Sequence, residues 1–185
     1  QRDYLSKVEL QRFEQFLLDE EVHRKTRDIF VFSCYTGLSY TDVRSLTDNN
    51  IVRGIDGEYW IFTKREKTDQ PVKIPLLDKT LNIIKKYDNV IENNSGLLPV
   101  YTNQRLNVYL KEITVLLGIN KNITFHSARH TFATTVTLSN GVPIETVSKL
   151  LGHSKLSTIQ VYARVIEEKV SIDMKALRNK FIDSI

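Results

Sequence analysis

The sequence has few of the residues that mark several common protein classes. One cysteine, Cys34, stands among 185 residues, so no internal disulfide can form, and its apolar neighbours favour a buried thiol in a reducing compartment. Seven glycines and four prolines exclude a collagen-like or low-complexity chain. The longest apolar runs, such as Ile29–Phe32, are far shorter than the ~20 residues of a membrane-spanning helix. The sequence therefore excludes a disulfide scaffold and predicts no membrane segment.

The remaining composition fits one globular domain. Hydrophobic residues make up 41% of the chain and charged residues 26%, close to the averages of folded proteins. A chain of 185 residues supports one full core, whereas two domains would each be small. The chain begins with Gln1 and has no apolar leader, which favours a fragment of a longer protein. We therefore expect a single domain over residues 1–185.

The charge balance is mildly basic. The chain has 26 lysines and arginines and 22 aspartates and glutamates, which gives a formal net charge of +4. Such a balance is compatible with a polyanionic partner such as nucleic acid but does not require one. The function therefore has to be argued from motifs.

Helical periodicity predicts that most of the chain is α-helical, with serine caps at helix starts and glycines at helix ends. The expected helices cover residues 7–18, 24–36, 39–46, 78–88, 106–117, 127–139, 143–151, 156–163 and 167–180. Three β-rich runs at 51–53, 58–63 and 72–75 are separated by turn residues and predict antiparallel strands. The predicted fold class is mainly α with a small three-stranded antiparallel β-sheet (α+β).

The densest group of functional side chains is basic. His126, Arg129 and His130 have the i, i+3, i+4 spacing that places side chains on one face of a helix. A His-x-x-Arg match alone is weak, because an arginine beside histidines is usually a surface or salt-bridge residue. The context strengthens this match. Gly152 is expected to end a helix, which places His153 in a turn, and Tyr162 follows nine residues after His153.

With Thr36-Gly37-Leu38, the lysine turn before Pro75 and Leu151-Gly152-His153, the sequence resembles the tyrosine recombinase family of phage and transposon integrases across nearly the whole chain. The resemblance implies the fold of that family's catalytic domain, with the N-terminal core-binding domain absent from this chain. It implies site-specific DNA recombination or integration by DNA cleavage and rejoining. A tyrosine attacks a backbone phosphate, forms a 3′-phosphotyrosyl link and frees a 5′-hydroxyl, and no metal or other cofactor is implied.

The resemblance assigns a role to each matching residue. Tyr162 would be the nucleophile, and because a phenol titrates at about 10 it needs help to attack at neutral pH. The planar guanidinium of Arg129 suits the charge that builds up on a phosphate in the transition state. His126 would exchange the proton of the nucleophile or hydrogen-bond the phosphate, and His153 would donate to a phosphate oxygen.

In this family, a lysine on the turn between the second and third strands protonates the leaving 5′-oxygen. Lys67 is the candidate here, and Lys64, three residues earlier, competes with it. His130 is expected to support the fold or orient its neighbours, and Asp42 matches an acidic residue of the family pattern. Solvated charge and helix capping are the plain alternatives for these lysines and histidines.

One residue of the family pattern is missing. The family has an arginine directly after Thr-Gly-Leu, whereas this sequence has Ser39, which carries no charge. Loss of one of two phosphate-binding arginines costs on the order of 10²–10³ in rate if no other cation replaces it. Arg44, Arg53 and Arg65 are the candidate replacements, and the sequence does not choose among them.

Two other classes of function compete with this hypothesis. Ser39 favours a non-catalytic DNA-binding relative that keeps the scaffold, although Tyr162 counts against it because a binding module needs no nucleophile. His126 and His130, together with His153, could bind zinc in a metallohydrolase. However, Ser127 stands where a His-Glu-x-x-His helix has its general base.

The expected partners are double-stranded DNA at specific recombination sites and further copies of the chain. The family resemblance implies a homotetramer on DNA and a monomer when free, in a prokaryotic cytoplasm at the nucleoid, with no membrane partner. The C-terminal segment, residues 167–185, carries apolar anchors at Val170, Met174, Leu177 and Phe181. This segment packs on its own domain or docks on a neighbouring subunit, and the sequence leaves both open.

Overall fold

The computed structural model describes residues 3–88, 96–152 and 163–182, and helices dominate it. The α-helices are α1 (Lys7–Gln15), α2 (Glu21–Thr36), α3 (Tyr40–Ser45), α4 (Asp78–Tyr87), α5 (Asn103–Leu116), α6 (Phe125–Thr131), α7 (Ile144–Leu151) and α8 (Ala163–Ile182). The strands are β1 (Ile51–Arg53), β2 (Tyr59–Lys64) and β3 (Pro71–Pro75). The predicted class, mainly α with a small antiparallel sheet, is confirmed.

Local signals set the helix ends that frame the candidate site. Ser6 precedes α1, and its hydroxyl accepts from the Glu9 N–H in a capping box. Gly37 ends α2 in the left-handed region at φ 70°, and Gly152 ends α7 at φ 64°. The sequence predicts all three caps, because each depends on residues within one helical turn.

The connection between α1 and α2 differs from the predicted helix to residue 18. α1 ends at Gln15 because Phe16 is extended, and arginines of α2 hold the carbonyl groups of the connection. Arg27 Nη1 donates to the Phe16 carbonyl at 2.8 Å, and Arg24 Nη1 donates to the Leu18 carbonyl at 2.9 Å. These side-chain donors replace the main-chain donors that a longer helix would supply.

α2 is the centre of the core. It is buried on almost every side and packs against α1, α4, α5 and α6. Its Phe30 ring meets Phe125 of α6 edge to face, with ring centroids 6.2 Å apart. Cys34 is fully buried in this core, and burial raises the pKa of its thiol well above the usual value. The prediction of a core thiol is confirmed.

The sheet is antiparallel with β2 in the centre. Ile61 of β2 pairs with Ile74 of β3, and both side chains are buried together with that of Val72. Alternate residues of β3 are exposed, as expected for a sheet with one face on the core. The sheet therefore holds the β2–β3 turn against the helices at a fixed register.

The helix predicted over 127–139 is only partly an α-helix. After α6 the chain forms a π-helical turn (Phe132–Thr137) and a 3₁₀ turn (Leu138–Asn140). The Thr137 hydroxyl donates to the Ala133 carbonyl at 2.9 Å, which gives the widened turn a side-chain donor. Apolar periodicity does not distinguish these forms, because a π turn shifts the pattern by about one residue.

α8 is one helix of 20 residues. The predicted break between helices at 156–163 and 167–180 is wrong, because residues 163–182 are continuously helical, while 156–162 lie outside the described residues. The four expected apolar anchors are all exposed: Val170 55%, Met174 46%, Leu177 44% and Phe181 67%. Within the described ranges, no helix has the length and apolar content needed to cross a bilayer.

Candidate active site

α6 carries the three residues of the predicted basic cluster, which differ in how deeply they are buried. His126 is exposed, Arg129 is half-buried and His130 is buried. The two histidine rings meet edge to face with centroids 4.9 Å apart. The outer ring is therefore exposed to solvent, and the inner ring packs behind it.

Arg129 joins the ends of two helices. Its Nη1 donates to the Gly37 carbonyl at 2.8 Å, and its Nη2 donates to the Leu151 carbonyl at 2.6 Å. These carbonyl groups lie at the C-terminal ends of α2 and α7, where helices carry partial negative charge and unpaired acceptors. The guanidinium is thereby fixed between α2, α6 and α7.

Ser39, the position of the missing arginine, caps α3. Its hydroxyl donates to Asp42 Oδ2 at 2.7 Å, and its N–H donates to the same oxygen at 3.1 Å. Asp42 is only 2% exposed, so its carboxylate is a buried negative charge. A buried carboxylate is costly unless it is paired with a cation.

The cation that pairs with Asp42 is Arg65, the first residue after β2. Arg65 Nη1 donates to Asp42 Oδ2 at 2.8 Å and to the Gly37 carbonyl at 3.5 Å. Its Nη2 donates to the Leu150 carbonyl at 3.0 Å. Arg65 and Arg129 therefore share the Gly37 carbonyl as an acceptor, and the two guanidinium groups lie side by side.

The electrostatics of this group favour an anionic ligand. Burial raises the pKa of the Asp42 carboxyl, but hydrogen bonds from Ser39, the Glu66 N–H and Arg65 outweigh it, and the net pKa is lowered. Burial lowers the pKa of the Arg65 guanidinium, and Asp42 opposes that effect. Arginine stays protonated in proteins. Two cations and one anion therefore leave an excess positive charge here.

One donor of Arg65 is left over. Its Nε is buried and has no hydrogen-bond acceptor within the described part of the chain. Gly152 lies over this edge, because a Cβ at position 152 would lie 3.1 Å from Nε. Buried polar groups nearly always have a partner, so a charged donor without one calls for an explanation.

Lys67 lies in the turn that follows Arg65 and is exposed. The turn is closed by a hydrogen bond from the Thr68 N–H to the Arg65 carbonyl at 3.2 Å. Its start is also tied to the core, because the Glu66 N–H donates to Asp42 Oδ1 at 3.0 Å. The predicted position of Lys67, on the turn between the second and third strands, is confirmed.

Lys64, the competing lysine, is the last residue of β2. Its Nζ lies 3.4 Å from Asp69 Oδ1, and both side chains are mostly exposed. Asp69 itself takes a left-handed conformation at φ 53° to close the turn. Lys64 is thus engaged across the base of the turn, while Lys67 projects from it.

The other candidate arginines stand elsewhere. Arg53 lies beside the β1–β2 turn and stacks on the ring of Tyr59, 4.0 Å from its centroid. The six residues of β2, about 20 Å in length, separate this turn from the β2–β3 turn. Arg44 is exposed on α3, and its Nη1 donates to the Tyr40 hydroxyl at 3.3 Å. Of the three candidates, the one at the β2–β3 turn contacts the buried carboxylate.

Two predicted residues, His153 and Tyr162, lie outside the described residues. The described chain stops at Gly152 and resumes at Ala163. Their roles stay predictions.

Sequence reasoning missed the main-chain groups of the site. The carbonyl oxygens of Gly37, Leu150 and Leu151 accept from the two arginines, and the Glu66 N–H holds the carboxylate. The available signal was the pair of glycine helix stops, because the last carbonyl groups of a helix need donors from elsewhere. Which side chains would supply those donors is a matter of tertiary packing.

The fold is that of tyrosine recombinase catalytic domains. The structure of XerA recombinase is similar with a TM-score of 0.70 at 23% identity, covering 92% of this chain and 65% of that one. XerH site-specific recombinase bound to difH substrate has a TM-score of 0.69 at 21% identity, covering 91% and 53%. The Tn1549 transposon integrase in complex with a circular intermediate DNA has a TM-score of 0.67 at 19% identity, covering 91% and 66%.

The sequence matches the family model described as "Phage integrase family" over residues 3–169, and the chain belongs to that family. It is 30% identical over 183 residues to tyrosine recombinase XerD of Oceanobacillus iheyensis, covering 91% of this chain and 59% of the relative. Tyrosine recombinase XerC of Pediococcus pentosaceus is 37% identical over 90 residues, covering 49% of this chain and 29% of the relative. The chain therefore spans less than two thirds of the length of these relatives.

Gly152→Ala is expected to destabilise the fold more than Gly118→Ala. Both glycines have nearly the same left-handed φ, 64° and 63°, so an alanine strains the main chain by about 1–2 kcal/mol at either position. At Gly152 the new Cβ would also lie 2.7 Å from Val72 Cγ1, whereas at Gly118 it meets nothing within 4 Å. Overpacking adds about 1–3 kcal/mol. Urea unfolding of both variants measures the difference, and equal losses of free energy of unfolding would contradict this packing.

Proposed function

We propose that this chain is the catalytic part of a site-specific recombinase that cleaves and rejoins DNA through a 3′-phosphotyrosyl intermediate. The observation that carries the proposal is the meeting of Arg129 and Arg65 at the Gly37 carbonyl. Two fixed guanidinium groups side by side suit the two non-bridging oxygens of one phosphodiester. Membership of the integrase family and the recombinase fold support the same reaction.

In the proposed cleavage step, the hydroxyl oxygen of Tyr162 attacks the phosphorus of the DNA backbone. The bond from phosphorus to the tyrosine oxygen forms as the bond to O5′ breaks, and the phenol proton passes to His126. Lys67 gives a proton to the leaving O5′. Arg129 and Arg65 stabilise the charge on the non-bridging oxygens. The phosphotyrosyl ester preserves the bond energy, so a 5′-hydroxyl can reverse the reaction.

His153 completes this scheme as a donor to a phosphate oxygen. Its place directly after Gly152, the end of α7, supports the assignment, because Arg65 and Arg129 bind the last two carbonyl groups of that helix. The phosphate-binding arginines and the residue that precedes His153 are therefore parts of one packed unit.

Arg65 takes the role of the missing arginine at Ser39 in this proposal. Arg65 pairs with the same carboxylate oxygen that Ser39 contacts. Its guanidinium therefore lies close to position 39, where the family has its arginine. Its Nε has no acceptor in the described residues, so it is the donor of this guanidinium that neither Asp42 nor the helix carbonyl groups use. Gly152 leaves that donor edge without a side chain above it.

A DNA-binding relative without catalytic activity is the alternative function. Ser39 is the observation that favours it, because a fold can persist in a protein that no longer carries out the chemistry of its relatives. Under that alternative, the chain would bind a recombination site without forming any covalent link to it. The arginine pair supports catalysis instead, because two guanidinium groups at one phosphate would stabilise the charge of the transition state.

The proposed partners are double-stranded DNA at a specific site and other copies of the protein in a homotetramer, acting in the cytoplasm of a prokaryote. The solved relatives named above include recombinases in complex with DNA. The exposed apolar stripe of α8 supports assembly, because its four anchors stay 44–67% exposed in the described part of the chain. We therefore propose that a neighbouring subunit, rather than its own domain, buries that stripe.

A covalent-capture experiment tests the proposed function. The full gene product is incubated, without metal, with sheared chromosomal DNA of the organism that encodes it, and covalent complexes are recovered under denaturing conditions. A nicked duplex built from the recovered site should then trap the protein on DNA, while Tyr162→Phe should bind the duplex and form no adduct. A wild-type protein that binds this duplex without an adduct would support the binding-only alternative.

A further inference from the structure

The carboxylate of Asp42 makes two different attachments through its two oxygens. Oδ2 accepts from Arg65 Nη1 at 2.8 Å and from Ser39, so it fixes the cation that we assign to the phosphate. Oδ1 accepts from the Glu66 N–H at 3.0 Å, so it fixes the main chain one residue before Lys67. A lysine side chain on an exposed turn has many rotamers, and its reach depends on where the turn is anchored.

We propose that Asp42 is a positioning residue for Lys67, acting through the main-chain N–H of Glu66. The inference rests on the proposed function, in which Lys67 protonates the leaving 5′-oxygen. One buried carboxylate then sets the distance between the phosphate-binding guanidinium and the proton donor. The Arg65 guanidinium and the Lys67 ammonium group have to face the same phosphodiester. Their common anchor holds them in a fixed arrangement for that purpose.

The turn geometry offers a variant that removes only this attachment. Arg65 and Thr68 are the first and fourth residues of a β-turn closed at 3.2 Å, so Glu66 is its second residue. Among the described non-glycine residues, Asp69 alone has a positive φ, so Glu66 and Lys67 both keep a negative φ. Proline is favoured at the second position of such a turn and has no N–H. Glu66→Pro therefore deletes the donor to Asp42 while suiting the turn.

A change of leaving group reports on the proton that Lys67 supplies. In a duplex with a 5′-bridging phosphorothiolate, sulfur replaces O5′ at the scissile bond. A thiol titrates at about 8.5, far below an alcohol, so the thiolate leaves without being protonated. The ratio of the cleavage rates with sulfur and with oxygen therefore measures how well the enzyme delivers the proton. General destabilisation slows both reactions and leaves the ratio unchanged.

Single-turnover cleavage of both duplexes should separate four variants. Lys67→Ala should raise the sulfur-to-oxygen ratio by on the order of 10²–10⁴, the usual contribution of general acid catalysis. Glu66→Pro should raise it by about tenfold or more, and Asp42→Asn should raise it as well. The matched control Glu66→Ala loses the side chain but keeps the N–H, and its ratio should equal that of the wild type.

The outcomes separate this inference from the function on which it rests. A Glu66→Pro variant that keeps the wild-type ratio while Lys67→Ala raises it would overturn the role of Asp42 and leave the recombinase reaction intact. A wild-type protein that forms an adduct on neither duplex would overturn both. If Asp42→Asn fails to fold, the comparison of Glu66→Pro with Glu66→Ala still tests the role of Asp42, because both changes lie on an exposed turn.

Discussion

Replacing Arg129 with alanine is expected to slow single-turnover DNA cleavage by on the order of 10²–10³ while affinity for the DNA site falls much less. Its guanidinium is held between α2, α6 and α7, so in the proposed reaction it needs no further ordering to bind the phosphate. A preorganised donor stabilises the transition state more than the ground state, and its loss therefore appears in the rate rather than in binding.

Arg44→Ala is the matched control for that variant. Arg44 is also an arginine and lies on α3, the helix that Ser39 caps, but its side chain is exposed. Among the contacts described for it, it donates only to the Tyr40 hydroxyl. Its removal should change the cleavage rate less than about threefold, as for most surface substitutions. Equal losses of rate and of affinity in Arg129→Ala would indicate that this arginine serves binding alone.

Arg65→Ala should lower the cleavage rate by on the order of 10²–10³, because one of two phosphate-binding cations is lost. Adding Ser39→Arg in that background should recover about tenfold or more of the lost rate. Position 39 contacts Asp42 Oδ2, the same oxygen that binds Arg65, so the new guanidinium can pair with the same carboxylate.

Ser39→Arg alone completes the comparison. With Arg65 in place, two guanidinium groups would compete for one buried carboxylate, and the single variant should gain no activity. Circular dichroism and urea unfolding of each variant confirm that the fold is kept. A double variant that is no faster than Arg65→Ala would show that the two positions do not share a role.

The helix caps and the turn that carries Lys67 follow from the sequence because their causes are local. Ser6 and Gly37 act on groups within one turn of themselves, and the β2–β3 turn is set by neighbouring residues. The cluster on α6 also follows, since helical spacing fixes which side chains share a face. The local form of these features therefore follows from nearby residues, although Asp42 anchors the start of the β2–β3 turn to the core.

The contacts that complete the site join residues far apart in the sequence. Arg65 reaches Asp42 across 23 positions and Leu150 across 85, and no local pattern predicts either. The sequence left Arg65 as one of three candidate replacements. The charge of a residue and its position in the chain do not show where its side chain points. The structure distinguishes them through the sheet, which places Arg53 at the opposite end of β2.

The extra length of α8 and the end of α1 were missed for the same reason. Arginines of α2 replace the helical donors that residues after Gln15 would need, and this substitution depends on tertiary packing. Residues 163–182 stay helical without burial of the apolar anchors. The helix propensity and the apolar pattern of one segment therefore do not show where its helix begins or ends.

Mapping the protein–DNA linkage shows whether Tyr162 is the nucleophile. The covalent complex formed by the full gene product on the nicked duplex is digested with a protease, and the peptide that retains a nucleotide is identified by mass spectrometry. We expect a phosphodiester link from a DNA 3′-end to Tyr162. A linkage at any other residue, or DNA bound at saturation with no linked peptide, would contradict it.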